Sequence, residues 1–322
     1  MKYKTDVGNK ADVSCDQQAH VIDDFNTQKG VSNPQEYYIH GRIKIPIFEI
    51  NTFHLLTQFI GYAKFANRNF GNVYLRGQTS LYPQKEVDSA GKKNYVANLT
   101  PSCFRSHCAN TSTRITNLNK VVKDILSEHK TLSQKTERDI LFPLLQHYGV
   151  KTYWLDIVDN IWIALWFSLH NFNSAIVDER QLIHVIKTNS DYSYIILLAS
   201  DAYRKRKVAG IYYGDRTVLN DLRKSTPSFY LRPHAQHALM LRKSAVLECT
   251  DYSDLIVGIA KIPVNVIWGW IGHSGLLSAQ SIFPSPFYDT GYKDLLTYVK
   301  KIKPEAINTF GSIQYITSDY LG

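Results

Sequence analysis

The pattern of apolar and polar positions is strongest between Ile140 and His170. Ile140, Leu141, Leu144 and Leu145 share one face at helical spacing. Gly149 stands where such a helix would end, because glycine takes the left-handed conformation of a C-terminal cap at no steric cost. Asp159 and Asn160 can both cap the start of a second helix, which runs on through Ile161, Trp162, Leu165, Trp166 and Leu169. The pattern therefore predicts two apolar helices around a polar joint, His147 to Asp156. Polar groups fixed between buried helices are held in place by their supports, which makes this joint the leading candidate site.

The rest of the chain reads around that centre. Residues 1 to about 35 are polar and lack periodicity, so the expected organisation is an N-terminal extension over 1–45 and a single domain over 46–322. Gly41 to Ile50 alternates as an edge strand or extended segment would, and Thr52 can cap a helix carrying Phe53, Leu56, Ile60 and Ala63. Val73–Gln78 predicts a short strand, 79–98 a polar loop, and Ile115 to Leu126 a helix. Gln181–Lys187 and Tyr194–Ala199 predict strands, the second nearly all apolar and hence buried. A further strand is expected over Ala245–Cys249. This mixture is an α+β pattern.

Composition narrows the class. Apolar content of 44% over 322 residues supports a sizeable core, and 20% charged residues exclude a disordered chain. Four cysteines are too few for a disulfide scaffold, which fits a reducing cytoplasm. The N-terminal segment has no apolar run, so no secretory signal is expected, and no apolar window is long enough to cross a bilayer. The net charge of +9 favours polyanionic partners. Arg204–Lys207, Arg216, Arg223, Lys224, Arg232, Arg242 and Lys243 crowd one stretch beside Tyr212, Tyr213, Phe229 and Tyr230. Such interleaving suits single-stranded nucleic acid, by phosphate pairing and base stacking, and equally an ordinary solvated basic face. His234-x-x-His237 and Cys103-x4-Cys108 with His107 lack a second ligand pair, so no metal is expected. No phosphate-binding glycine loop of the NTPase or dinucleotide type is present.

The joint also carries a resemblance. Gln146, His147, Tyr148, Gly149, Thr152, Leu155 and Asp156 match the core motif of the FRG domain, Gln-His-Tyr-Gly-x-Pro-Thr-Arg-Leu-Leu-Asp-Trp-Thr. Lys151, Tyr153 and Ile157 replace its proline, arginine and tryptophan. Tyr74-Leu75-Arg76-Gly77-Gln78 resembles the aromatic-Arg-Gly signature, and Leu99 to Arg105 resembles the Leu-x-Pro-Ser-Leu-x-Arg segment. Gln236 matches the glutamine of Arg-x-x-x-Gln-x-Gly-x-Phe, with Ala238 and Met240 in place of glycine and phenylalanine. Ser281 to Leu295 resembles the closing segment, so the likeness runs over roughly residues 50–300.

FRG domains resemble the ADP-ribosyltransferase superfamily. The resemblance implies an ADP-ribosyltransferase-like fold of split antiparallel or mixed sheets with flanking helices, and NAD as substrate. It implies a catalytic set of Arg76, His147, Tyr148 and Gln236, and NAD contacts from Arg76, Gly77, His147, Tyr148 and Thr152. Arg76 would hold phosphate, His147 a ribose hydroxyl and Tyr148 a ring face, with Asp156 orienting Arg76 or His147. Gln236 stands where many transferases have glutamate, and Glu248 is the nearby carboxylate that could substitute. The acceptor is expected to be a nucleic acid, RNA foremost, or a protein. By analogy with relatives, a toxin or defence role with an antitoxin partner follows. A non-catalytic nucleic-acid-binding module and an NAD glycohydrolase are the alternatives.

Overall fold

The computed structural model describes residues 19–25, 34, 36–89, 92–105, 113, 115–116, 119–120, 122–123, 127, 138–148, 151–177, 180–203, 208–245, 250–272, 277–285, 287–293 and 315–317. The hairpin β1 (Glu36–His40) and β2 (Ile43–Glu49) is followed by α1 (Phe53–Ala66) and β3 (Gly71–Gln78). A second hairpin, β4 (Lys85–Ser89) and β5 (Lys92–Val96), precedes α2 (Arg138–His147), β6 (Leu155–Val158) and α3 (Ile161–Leu169). Next come β7 (His170–Val177), β8 (Arg180–Lys187), β9 (Tyr192–Asp201), β10 (Ile211–Tyr213) and β11 (Thr217–Asp221). The short helices α4 (Leu222–Ser225) and α5 (Leu231–Ala235) lead into β12 (Ala238–Lys243). β13 (Ile256–Pro263), α6 (Val264–Ile271), α7 (Ala279–Ile282) and β14 (Tyr315–Thr317) complete the described elements.

The architecture is mixed α/β. Eleven strands form one mixed sheet in the order β10-β11-β12-β6-β3-β9-β13-β2-β1-β5-β4, and β14-β8-β7 form a small second sheet. β9 lies between β3 and β13, and its apolar run has a simple cause. Ile195, Leu197 and Ala199 enter the core on the side of α1 and α3, while Ile196 and Leu198 enter the core on the other side. A strand buried on both faces needs no polar alternation.

One junction in the large sheet is weak. β3 pairs with β9 over its full length, from Gly71↔Asp201 to Gln78↔Tyr194, yet meets β6 only at Leu75↔Val158. The two halves of the sheet part beyond that pair. The expected pair of separate small sheets is thus a single sheet, split locally where β3 leaves β6.

The helices follow their sequence signals. Thr52 Oγ1 accepts from Leu55 N at the start of α1, whose Leu56, Phe59, Ile60 and Ala63 are buried. Asn160, not Asp159, caps α3, its Oδ1 accepting from Trp162 N at 2.9 Å. Pro46 lies inside β2, a strand with neighbours on both sides, but pairing with β13 covers only Ile47 to Glu49. At Pro46 the strand is therefore locally an edge, where a missing N–H costs nothing.

Four expectations are corrected. Residues 36–45 belong to the sheet, and Ile22 and Phe25, fully buried against Phe48 and Phe59, dock part of the expected extension onto the core. The loop expected over 79–98 contains β4 and β5, whose polar sequences hid a hairpin at the sheet edge. The joint between α2 and α3 contains β6, because Leu155, Ile157 and Val158 find a partner in distant β12. β12 itself had no strand signal of its own. Gly149, Arg204–Lys207 and residues 246–249 with Glu248 lie outside the described residues, as does half of the helix expected over 115–126, whose described positions are helical.

Candidate functional site

The joint is tied together by one side chain. Gln146, in the last turn of α2, donates through Nε2 to the Trp154 carbonyl at 2.6 Å and to Asp156 Oδ2 at 3.1 Å. Its Oε1 accepts from the Thr152 amide at 3.2 Å and from the Thr152 hydroxyl. The end of α2 is secured from another direction, with Arg232 Nη1 donating to the His147 carbonyl at 3.1 Å. Such a bond satisfies one of the carbonyls that a helix end leaves without a partner.

These elements frame a cleft of about 1090 Å³ at the split of the sheet. β3 contributes Arg76, Gly77 and Gln78 on one side, and β6 contributes Asp156 to Val158 on the other. His147 from α2, Arg232 and Gln236 at α5, Phe283, and His170, Asn171 and Lys187 line the rest of it. The volume is at the upper end of what small-molecule sites reach.

Cations dominate the lining. Arg76, Arg105, Lys187 and Arg232 have no carboxylate at ion-pair distance among the described residues. Arg76 donates to the Asp156 backbone carbonyl at 2.6 Å, and its Nε is buried without a hydrogen-bond partner. Burial pushes the Arg76 pKa below its ordinary value, with Arg105 adding repulsion and Asp156 opposing it; a guanidinium stays charged all the same. Arg232 is 3% exposed, and its guanidinium lies 4.6 Å from the Tyr148 ring and 4.5 Å from the Tyr292 ring. Its Nε and Nη2 have no hydrogen-bond partner. Buried cations left in this condition suit an anionic ligand, since guanidinium forks match phosphate oxygens.

Asp156 opposes them. Its Oδ1 lies 3.6 Å from His147 Nδ1, and its side chain is 50% exposed toward the cleft. Surrounding protein pushes its pKa up, but the bond to His147, the charges of His147 and Arg76, and the bond from Gln146 hold the carboxyl below the usual range. His147 Nε2 is buried and without a hydrogen-bond partner. Also in the lining, His170 Nδ1 sits 2.7 Å from the Trp166 carbonyl, and burial lowers its pKa. The proton of neutral His170 therefore sits on Nδ1, which leaves Nε2 as an acceptor.

Residues 90–175 match the FRG domain. The FRG segment includes α2, β6 and α3, and thus the whole tied joint. Arg76, Gly77 and Gln236 lie outside it and reach the cleft only through the fold. No curated protein and no solved structure matches the chain.

Within and around the FRG segment, the cleft brings together Arg76, Gly77, His147 and Gln236. Tyr148 and Thr152 stand behind its wall. Tyr148 is fully buried and donates to Asp289 Oδ2 at 2.5 Å, a carboxylate that also accepts from the Arg232 amide at 3.0 Å. Burial and the neighbouring Asp289 raise the Tyr148 pKa far above its usual value, so the hydroxyl remains a donor. Its ring supports Arg232 from below instead of offering a face to a ligand. Thr152, also fully buried, gives its hydroxyl to Gln146. Gln236 commits Nε2 to the Ile282 carbonyl at 2.9 Å.

The basic stretch is corrected as well. Arg216 pairs with Asp254 at 3.0 Å, Arg223 with Asp221 and Asp159, Lys224 with Asp221, Arg242 with Asp139 at 3.0 Å, and Lys243 with Asp254. Each of those five cations has a carboxylate partner in the chain, and Arg232 of the same stretch has none among the described residues. Arg105 closes the Leu99–Arg105 segment, the signal that could have placed it in the site, whereas no local signal marks Lys187 and His170; Arg232 reads in the sequence only as part of the basic stretch. Its position four residues before Gln236, one turn away on the same short helix, was the available clue.

Proposed function

We propose that the protein is an NAD-dependent ADP-ribosyltransferase that holds NAD in this cleft. The observation that carries the reading is the set of four cations without carboxylate partners around a cleft large enough for a dinucleotide. A pyrophosphate would satisfy buried N–H groups of Arg76 and Arg232 that otherwise have no partner. His147 and Gln236 lie beside them, in reach of ribose hydroxyls in the same space. The protein supplies binding, orientation and field, and NAD supplies the leaving group.

The acceptor is a nucleic acid, RNA foremost, or a protein. The cleft cations that remain beyond those used by NAD favour an acceptor carrying phosphate. The carboxylate partners of Arg216, Arg223, Lys224, Arg242 and Lys243 weaken the case for a purely binding module. The test is incubation with labelled NAD and RNA, DNA or total cell protein. Label should pass to one acceptor class, and Arg76→Ala should lower the rate roughly 100-fold, the scale of losing one buried charge-assisted anchor of ~3 kcal/mol. Release of nicotinamide without transfer would identify a glycohydrolase. Neither product from folded protein would refute both enzyme readings.

A further inference from the structure

We infer that the Asp156 carboxylate, not Gln236, is the catalytic group that stabilises the cationic sugar during transfer. The inference rests on the transferase reading above. In that reaction the bond from ribose C1′ to the nicotinamide ring nitrogen breaks, and both electrons leave with nicotinamide, which departs neutral. Positive charge develops on C1′ and the ring oxygen. A lone pair of the acceptor then forms the new bond to C1′, and the acceptor's proton passes to water in the open cleft.

A cleft suited to phosphate opposes such a charge. Arg76, Arg105, Lys187 and Arg232 would all repel a cationic sugar, and stabilisation needs a negative group fixed in advance at the reacting centre. Among the described lining residues, Asp156 is the single carboxylate. Its side chain is half exposed to the cleft. Arg76 binds the Asp156 carbonyl oxygen and leaves the carboxylate unpaired by any guanidinium. Gln146 at 3.1 Å and His147 at 3.6 Å fix its two oxygens from behind. Gln236 carries no charge, and its amide nitrogen is committed to Ile282.

His147 is then a positioning residue. It holds Asp156 in place and favours its ionised form. The other titratable groups lining the cleft are Arg76 on β3, Tyr82, Arg105, Arg232 on α5, His170 on β7 and Lys187 on β8. Of these, the Arg76 charge lowers the Asp156 pKa and so favours the ionised form.

Asp156→Asn keeps the shape and removes the charge. In the intact protein, kcat for nicotinamide release should fall roughly 100- to 1,000-fold while the NAD dissociation constant stays within about threefold. His147→Gln should move the acid limb of the pH–rate profile upward, because Asp156 loses the partner that holds its pKa down. If wild type has no NAD chemistry, the transferase reading falls and takes this inference with it. If wild type is active and Asp156→Asn keeps its kcat, or loses NAD binding in proportion, the inference alone is overturned. Should Asp156→Asn fail to fold, an unmoved acid limb in His147→Gln overturns it independently.

Discussion

Adding one methyl group at Gly77 should unseat the helix that backs the cleft. A Cβ on Gly77 would lie 1.8 Å from the Ala164 carbonyl oxygen and 2.9 Å from the Ser168 amide nitrogen. Both are backbone atoms of α3, so no side chain can rotate away. Restoring contact at about 3.4 Å requires the strand or helix to move by roughly 1.5 Å, and well-packed interiors resist such shifts. α3 also buries Ile163, Leu165, Trp166 and Leu169, whose contacts would loosen together. Overpacking of this kind costs ~3 kcal/mol or more, at the upper end for inserted methyl groups. For a chain of this size that corresponds to a Tm lower by about 4–5 °C. Thermal unfolding of Gly77→Ala followed by circular dichroism measures it. A Tm within about 2 °C of wild type would refute the close approach and leave Gly77 only the NAD contact that its motif implies.

Tyr148→Phe removes the donor to buried Asp289 without touching the cleft lining. It should lower stability by ~1.5–3 kcal/mol, the range for hydrogen bonds to charged groups, and leave NAD affinity near wild type; a large loss of affinity with unchanged Tm would restore Tyr148 as a ligand contact. His40 and Asp251 give a pH dependence of known sign. The Asp251 hydrogen bond raises the His40 pKa above its unfolded value despite partial burial, at an Nδ1–Oδ2 distance of 3.4 Å. Its contribution is complete below about pH 6.5 and is lost as pH rises through the raised folded pKa. Urea unfolding from pH 6 upward should show that decline in wild type and a flatter profile in His40→Gln, and equal slopes would exclude the pair as its cause.

The parts of the molecule legible in the chain are those whose cause is local. Thr52 and Asn160 cap helices because a side-chain oxygen two or three residues ahead of an orphan amide can reach it in any context. Ile195 to Ala199 reads as a buried strand because both its faces must be apolar. β6 was not legible, since Leu155 to Val158 is too short to declare itself and takes its strand form from β12, some 80 residues later. The hairpin of β4 and β5 is polar for the converse reason, as an edge pair exposed to solvent needs no apolar alternation.

The site divides along the same line. From the sequence alone came the joint, with Gln146, His147 and Asp156 at fixed offsets, and the arginine before Gly77. Gln146 and His147 share one helix end, whereas Asp156 reaches them only because β6 pairs with β12. Only the tertiary structure decided which motif residues meet the cleft and which support it. Tyr148 and His147 are neighbours in sequence yet separate at the helix end, one toward Asp289 and one toward Asp156. The structure also decided which positive charges remain available. A lysine or arginine is the same letter whether a carboxylate from a distant strand neutralises it or not, and that pairing is a property of the folded chain.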